Sequence, residues 1–215
     1  MNERGGGGRP TREQTIAIDN ALLDGARDAF GRKGIINASI DEIAELLGVS
    51  KHTIYRRYKT KTDLLGAVVS RDIKRFQDRL RAAGKGGASP LDAVRRTASC
   101  YVEIGCSRDY AGLYLSLIAE AVVSDELRHL FSGWTRQSLD PLMEALLTAQ
   151  EEKAVASVDA KFMCSILVDL LEGINNTVRL YDDANGEPPD QSILFKERWR
   201  VFLTLFATEP QRRSH

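Results

Sequence analysis

Residues 46–61, LLGVSKHTIYRRYKTK, constrain the fold more than any other part of the 215-residue chain. Gly48 directly follows an apolar helical pattern and suits the left-handed conformation that ends a helix sharply. Ser50 can then cap a further helix, whose apolar positions Ile54 and Tyr58 recur at an i, i+4 spacing. The stretch therefore predicts two helices joined by a tight turn, the second of them running to Tyr58.

The charge of this stretch differs from that of the whole chain. Between Ser50 and Lys61 there are five Lys or Arg, one His and no Asp or Glu, although the chain carries 30 residues of each sign. Residues 1–61 have a net charge of +3 and residues 62–215 a net charge of −3. This asymmetry indicates a front part that binds a polyanion such as DNA and a back part with another task.

The front part reads as a three-helix head over residues 13–61. Ser39 and Glu42 have the spacing of a capping box, so a helix begins after Ser39 and ends at the turn described above. An earlier helix, from residue 11 to about residue 34, is predicted by apolar residues at i, i+4 spacing. These residues are Ile18, Leu22, Ala26 and Phe30.

A tail is expected before the head. Residues 1–12 contain four consecutive glycines and cannot bury much apolar surface, so we predict that they are disordered. Arg4, Arg9 and Arg12 lie on this tail. They leave two interpretations open, an arm that reaches into a DNA groove and a tail without a role, and the second is favoured.

Residues 62–215 show helical patterns throughout and no strand-like alternation of useful length, so the fold class is all-α. A fourth helix opens at Thr60 and is predicted to run to about residue 83. Pro141 either kinks a helix or restarts one. Further helical segments are expected at about 91–107, 109–123, 125–150, 158–181 and 191–207.

The last two helical segments are unusually apolar and need a cover. Burial within one chain would provide it, but packing against the same pair in a second copy, as a four-helix interface, is favoured. The sequence therefore predicts a homodimer. The residues assigned to its interface are Met163, Leu167, Leu170, Ile174, Phe195, Trp199, Phe202 and Phe206.

Other functional classes find little support in the sequence. There is no Gly-rich phosphate loop, no His or Cys spacing for a metal and no nucleophile motif, so we predict no enzyme, no cofactor and no metal site. No membrane span or signal peptide is expected, which places the protein in the cytoplasm. Cys100, Cys106 and Cys164 are interpreted as core thiols in preference to redox sensors.

A longer pattern surrounds the turn, and it comprises residues 22–26, 29–30, 34, 39–44, 47–58, 61 and 64–65. Over residues 15–66 it resembles the DNA-binding domain of the tetracycline-repressor (TetR) family. Gly25 stands where Ala is common, and Tyr58 replaces the usual Phe. A weaker pattern at residues 117–121, 125–127 and 131 resembles the AefR-like branch of that family's C-terminal domains.

The resemblance implies an all-helical homodimer with a three-helix helix-turn-helix head. The remainder, residues 62–215, would be a ligand-binding and dimerisation domain. Such a protein is expected to repress transcription from a roughly palindromic operator in double-stranded DNA and to be released by a small-molecule effector. A dimeric nucleoid-type protein, which binds all duplexes equally and has no ligand, is the alternative, and sequence specificity distinguishes the two.

The third helix and the start of the fourth carry the residues predicted to touch DNA. Lys51, His52 and Arg56 are assigned to base edges in the major groove. The resemblance implies that Thr53, Tyr55 and Lys61 hold phosphates, and Arg57 fits either role. The predicted DNA-binding set is completed by the cap residue and is Ser50, Lys51, His52, Thr53, Tyr55, Arg56, Arg57 and Lys61.

Candidates for an effector pocket are aromatic or soft residues on the helices that should surround the C-terminal core. For any one of them, ordinary core packing is the favoured interpretation. The candidates are Tyr101, Tyr114, Phe131, Trp134 and Cys164.

Overall fold

The structure is a computed structural model, and it describes residues 11–181, 186–187 and 189–208. Within these ranges the chain forms ten α-helices and no strand longer than an isolated bridge between Val155 and Ala207, so the all-α prediction is confirmed. The chain divides into two compact units that meet between Val69 and Ser70, inside a single helix. The predicted tail lies outside the described residues except for Thr11 and Arg12.

The first unit contains three helices and the start of a fourth. They are α1 (Arg12–Lys33), α2 (Ile40–Leu46), α3 (Lys51–Tyr55) and the first turns of α4 (Lys61–Gly84). The helices meet around a small apolar core of fully buried side chains, as their i, i+4 patterns predict. The core includes Ala26, Phe30, Ile43, Ile54 and Leu64.

The ends of α2 and α3 follow the local signals in the sequence. The Glu42 backbone N–H donates to Ser39 Oγ at 3.2 Å, and the Ser39 N–H donates to the Glu42 carboxylate at 3.2 Å, which completes the predicted capping box. Gly48 has a φ of 62°, the left-handed conformation expected of it. Regular helix ends at Tyr55 rather than at Tyr58, although the Tyr58 N–H still donates to the Ile54 carbonyl at 2.9 Å.

The second unit contains the rest of α4 and six further helices. Pro141 restarts a helix rather than kinking one, because it lies in the first turn of a separate helix where its missing N–H has no helical partner to lose. The helices are α5 (Pro90–Gly105), α6 (Arg108–Val123), α7 (Asp125–Ser138), α8 (Asp140–Glu151), α9 (Ala160–Arg179) and α10 (Gln191–Phe206).

The core of the second unit corrects the residues assigned to a dimer interface. Seven of the eight assigned residues are buried in this core, and a buried side chain has no surface left to contact a second copy. The eighth, Leu170, is half-buried and also packs against this core. Rings on α10 stack along its inner face, with 5.1 Å between the centroids of Trp199 and Phe202. The seven residues that are only 0–8% exposed are Met163, Leu167, Ile174, Phe195, Trp199, Phe202 and Phe206.

Different apolar residues of α9 and α10 face outward. Phe162 on α9 and Ile193, Val201 and Leu205 on α10 are 45–55% exposed. Both helices are therefore apolar on an inner and an outer side, and the sequence pattern alone does not separate the two. No helix of the described residues is long and apolar enough to cross a membrane.

The cysteines show the behaviour of core or half-buried thiols. All three are free thiols, and Cys164 is buried in the core of the second unit. Burial raises the pKa of the Cys164 thiol to about 11, and it also raises the pKa values of Cys100 and Cys106. A raised pKa keeps each sulfur protonated near neutral pH, which disfavours reaction with oxidants.

Helices α5 and α9 pack tightly against each other at Gly105, and this contact yields a stability prediction. A Cβ at Gly105 would lie 2.7 Å from Cγ of the fully buried Asn175, so we expect Gly105→Ala to destabilise the protein by about 1–3 kcal/mol. Gly133→Ala is the control, because no atom lies within 4 Å of the added methyl group. Thermal denaturation should show a lower melting temperature for the first variant only, and equal melting temperatures would contradict this packing.

Candidate nucleic-acid interface

Helix α3 has one buried side and one polar, exposed side. Ile54 is fully buried against the first unit's core, which fixes the rotation of the helix about its axis. Lys51, His52, Tyr55 and Arg56 are consequently exposed. A short helix that offers polar and cationic side chains on one side suits the major groove of DNA.

Ser50 and Thr53 form the N-terminal cap of α3. The Thr53 N–H donates to Ser50 Oγ at 3.2 Å, and the two hydroxyl oxygens lie 3.0 Å apart. Both side chains therefore set where α3 begins. Their predicted contacts with DNA stay a prediction.

The two adjacent arginines have different surroundings. Arg57 is half-buried and forms an ion pair with Asp19 of α1, so it ties α3 to the first helix. Arg56 is exposed and has no acceptor within the described part of the chain. Lys51 lies 3.5 Å from the Asp41 carboxylate in a solvent-exposed ion pair. Such a pair contributes little to stability and leaves the Lys51 ammonium available.

Lys61 occupies a position that the sequence did not reveal. Its ammonium donates to the backbone carbonyls of Ile35 at 2.8 Å, Ile36 at 2.9 Å and Ala38 at 3.2 Å. An ammonium has three N–H donors, so all three are used inside the first unit. The loop between α1 and α2 is thereby tied to the first turn of α4.

The start of α4 is capped by Thr60 and Asp63, so the Lys61 side chain is not needed there and can bind the α1–α2 loop. Thr60 Oγ1 accepts from the Asp63 N–H at 3.0 Å, while the Asp63 carboxylate accepts from the Thr60 N–H at 3.0 Å. The positive end of the helix dipole is thus already matched by Asp63. The phosphate that the resemblance implied at Lys61 is not required to balance this helix start.

The acidic side of α2 is also held in place. Lys33 donates to the Glu42 carboxylate at 2.8 Å, and this hydrogen bond, together with the capping N–H of Ser39, lowers the pKa of Glu42. Glu42 is therefore an anion fixed at the start of α2. The exposed cationic side chains of α3 therefore form the positively charged surface of the helix-turn-helix.

The second unit brings three of the five pocket candidates together. Tyr101 and Tyr114 are joined through the rings of Phe76 and Tyr110, with centroid distances of 5.5–5.8 Å between neighbours. Phe131 extends the row at 5.9 Å from Tyr114. Trp134 makes no ring contact among the described residues, and Cys164 packs in the apolar core.

A buried polar cluster adjoins this aromatic row. The Tyr101 hydroxyl donates to the Glu172 carboxylate at 2.7 Å, and Asn175 Nδ2 donates to the same oxygen at 2.8 Å. Burial, assisted by Glu172, raises the pKa of Tyr101 well above its usual value and that of Tyr114 to about 12. Both phenols therefore stay neutral near neutral pH and remain hydrogen-bond donors.

No group of His, Cys, Asp and Glu residues suited to a metal ion occurs in the described part of the chain. Arg179 carries part of the polar cluster, and the sequence did not predict its burial. Its Nε donates to the Gly105 carbonyl at 2.7 Å, and its guanidinium carbon lies 5.1 Å from the Tyr114 ring centroid. Its position in the last turn of a helix gave no sign of burial.

Comparison with known proteins connects this geometry to a family. The family model described as bacterial regulatory proteins, tetR family, matches residues 22–68, which contain α2, α3 and the start of α4. The HTH-type transcriptional regulator BetI of Rhizobium meliloti is 26% identical over 187 residues, which cover 78% of this chain and 90% of BetI.

Solved structures share the fold over most of the chain. A putative TetR-family transcriptional regulator from Mesorhizobium loti has a TM-score of 0.73 and 18% identity, with 93% of this chain and 100% of that chain covered. A putative transcriptional regulator from Saccharomonospora viridis, solved in complex with choline, has a TM-score of 0.71 and 18% identity, with 90% and 100% covered. The relatives are regulators of transcription rather than enzymes, and residues 22–68 of this chain form a domain that matches the tetR family of bacterial regulatory proteins.

Proposed function

We propose that the protein is a homodimeric repressor that binds a palindromic operator and is released from it by a small molecule. The observation that carries this proposal is the exposed side of α3, where His52, Tyr55 and Arg56 have no partner in the described part of the chain. Side chains kept free of internal partners are available for an external one. The predicted cytoplasmic location belongs to the same proposal, because the operator is chromosomal.

The exposed residues of α3 divide by chemistry. Arg56 and Lys51 suit guanine N7 and O6 in the major groove, and His52 lies beside them in the first turn. The Tyr55 hydroxyl reaches from an exposed position at the end of the helix and suits a phosphate oxygen. Arg57 acts indirectly, because its ion pair with Asp19 holds the orientation of α3.

We propose a positioning role for Lys61 in place of the phosphate contact that the resemblance implied. Its three carbonyl partners directly precede Ser39, the cap of α2. A displacement of the first turn of α4 therefore acts on the start of the helix-turn-helix. A phosphate contact would require the ammonium to give up one of these hydrogen bonds.

Dimerisation is supported by the outward apolar residues of α9 and α10. Four large apolar side chains on these helices are exposed to water unless a second copy covers them. They are Phe162, Ile193, Val201 and Leu205. A Cβ added at Gly173 on α9 would have no atom within 4 Å, so a neighbouring helix has room to approach. A twofold dimer places two α3 helices about 34–36 Å apart, or a multiple of this, which matches a palindrome.

Release by a ligand is supported by the continuity of α4. This helix carries Lys61 in its first turn and buries Phe76 and Leu80 in the core of the second unit. A ligand that favours another position of Phe76, which starts the aromatic row, would shift the turn that contacts the α1–α2 loop. The Saccharomonospora viridis regulator binds choline, which supports a small-molecule effector for this chain.

The adjacent arginines test the reading role of α3. We expect Arg56→Ala to relax base preference at one position of each half-site, with a loss of discrimination of about 1–3 kcal/mol. Arg57→Ala is the matched comparison and should instead speed amide hydrogen exchange in α3, since Asp19 loses its partner. Competition binding with operator variants measures the first effect. If Arg56→Ala kept the full base preference, Arg56 would not read a base.

Lys61→Met separates a positioning role from a phosphate contact. We expect faster amide hydrogen exchange at residues 34–40 and a loss of stability of about 1–3 kcal/mol in the first unit, because three carbonyls lose a charged donor. The salt dependence of DNA binding should keep its slope. A slope shallower by about one, with unchanged exchange, would assign Lys61 to a phosphate. Lys59→Met, an exposed neighbour, is the control for the removed charge.

The outward residues test the dimer. The double variant Val201→Glu and Leu205→Glu should be a folded monomer by light scattering, because two acids in an apolar interface are costly to bury. Val123→Glu on α6 is the control, since Val123 is 75% exposed and lies on another helix. A dimer that persists in the double variant would place the interface elsewhere.

A further inference from the structure

A small cavity lies in the second unit beside the start of α6 and the end of α9. Its volume is about 300 Å³, at the lower end of the range for small-molecule sites. Arg108 and Arg179 line it, and no Asp or Glu occurs among the described residues that do so. Its apolar part is formed by Ala111, Leu115 and Val178. The cavity therefore combines an apolar wall with two cations.

Arg179 has a hydrogen-bond donor to spare inside the protein. Its side chain is only 2% exposed. Nε donates to the Gly105 carbonyl at 2.7 Å and Nη1 to the Glu172 carboxylate at 3.3 Å, but the buried Nη2 has no acceptor in the described part of the chain. A buried charged donor without an acceptor is costly, so such groups normally have a partner.

The surroundings of Arg179 fix the guanidinium without satisfying Nη2. Glu172 already accepts from Tyr101 and Asn175 on one oxygen and from Arg179 on the other, and it does not line the cavity. The Tyr114 ring packs against the guanidinium at 5.1 Å. The donor is therefore held in place before any ligand arrives, which lowers the entropy cost of binding.

We propose that this cavity binds the carboxylate of a small organic acid with an apolar chain, and that such an acid is the effector. The guanidinium of Arg179 lies at the cavity wall, and a small displacement of its cover lets the acid's carboxylate accept from the buried Nη2. The exposed Arg108 adds a second positive charge at the rim. The apolar chain contacts Ala111, Leu115 and Val178. An anion is preferred to a neutral acceptor because a charge-assisted hydrogen bond is stronger in a site of low dielectric constant. The identification of the acid as effector rests on the ligand response proposed above.

Isothermal titration of the full-length protein tests the preference for an anion. Octanoate, octanamide and choline are the probes, since the first two differ mainly in charge and the third is a cation. We expect octanoate to bind roughly tenfold or more tightly than octanamide, as a charge-assisted bond should, and choline not to bind in this cavity. Equal affinities for octanoate and octanamide, or tighter binding of choline than of octanoate, would overturn the proposal.

Two variants locate the binding. Arg179→Gln removes the central donor, and Arg108→Glu reverses the rim charge at an exposed position where folding is not at risk. Both should abolish the preference for octanoate over octanamide. Arg136→Glu, an exposed charge reversal on α7 that does not line the cavity, should leave it unchanged. A preference that survives in both cavity variants would mean that octanoate binds elsewhere.

Operator affinity measured in the same samples separates this inference from the proposed function. Octanoate should weaken DNA binding by the unaltered protein and have a smaller effect on Arg108→Glu. If octanoate binds with the expected preference but operator affinity does not change, the site stands and the acid is not the effector. If operator binding responds to choline and not to octanoate, the protein is ligand-responsive and the assignment of an organic acid is refuted.

Discussion

The contact that the proposed DNA-binding surface depends on is the burial of Ile54 beneath α3. This helix has five residues, and an isolated helix of that length is not stable in water, because nucleation costs more than so few hydrogen bonds return. Three interactions within the first unit stabilise α3. They are the burial of Ile54, the Ser50 cap and the ion pair between Arg57 and Asp19. Only a helix with a fixed rotation can present the same side chains to the same base edges.

Helix α4 links this surface to the larger unit. It starts with Lys61 bound to the loop before α2 and ends in the core that holds the aromatic row. In the proposed function, this helix is the route by which ligand and operator influence each other, and such a coupling is reciprocal. The buried Arg179 offers a ligand a hydrogen-bond donor in the unit that contains the larger part of α4.

Local signals in the sequence predicted much of the fold. The capping box at Ser39 and the left-handed Gly48 are decided by neighbouring residues, so they are visible in the chain itself, whereas the sequence left open whether Pro141 kinks a helix or restarts one. The partners of Lys61 and the burial of Arg179 depend on residues that are distant in sequence, and periodicity does not encode them.

A related reason explains why the residues assigned to the dimer interface lie in the chain's own core instead. Helices α9 and α10 are apolar on two sides, and periodicity does not say which side faces the chain's own core. The exposed side of α3 was predictable because Ile54 and the cations occupy opposite sides of a short helix. The sequence did not distinguish the role of Arg57 from that of Arg56, because the ion-pair partner of Arg57 is Asp19, a residue far earlier in the sequence.

In the proposed function, α3 reads a DNA sequence as one of two symmetric copies. Selection of bound duplexes from a random pool by the purified protein tests this role. We expect enrichment of one inverted repeat whose half-site centres are about 34–36 Å apart or a multiple of that distance. Recovery of duplexes with no shared sequence, at affinities that depend on salt alone, would contradict it.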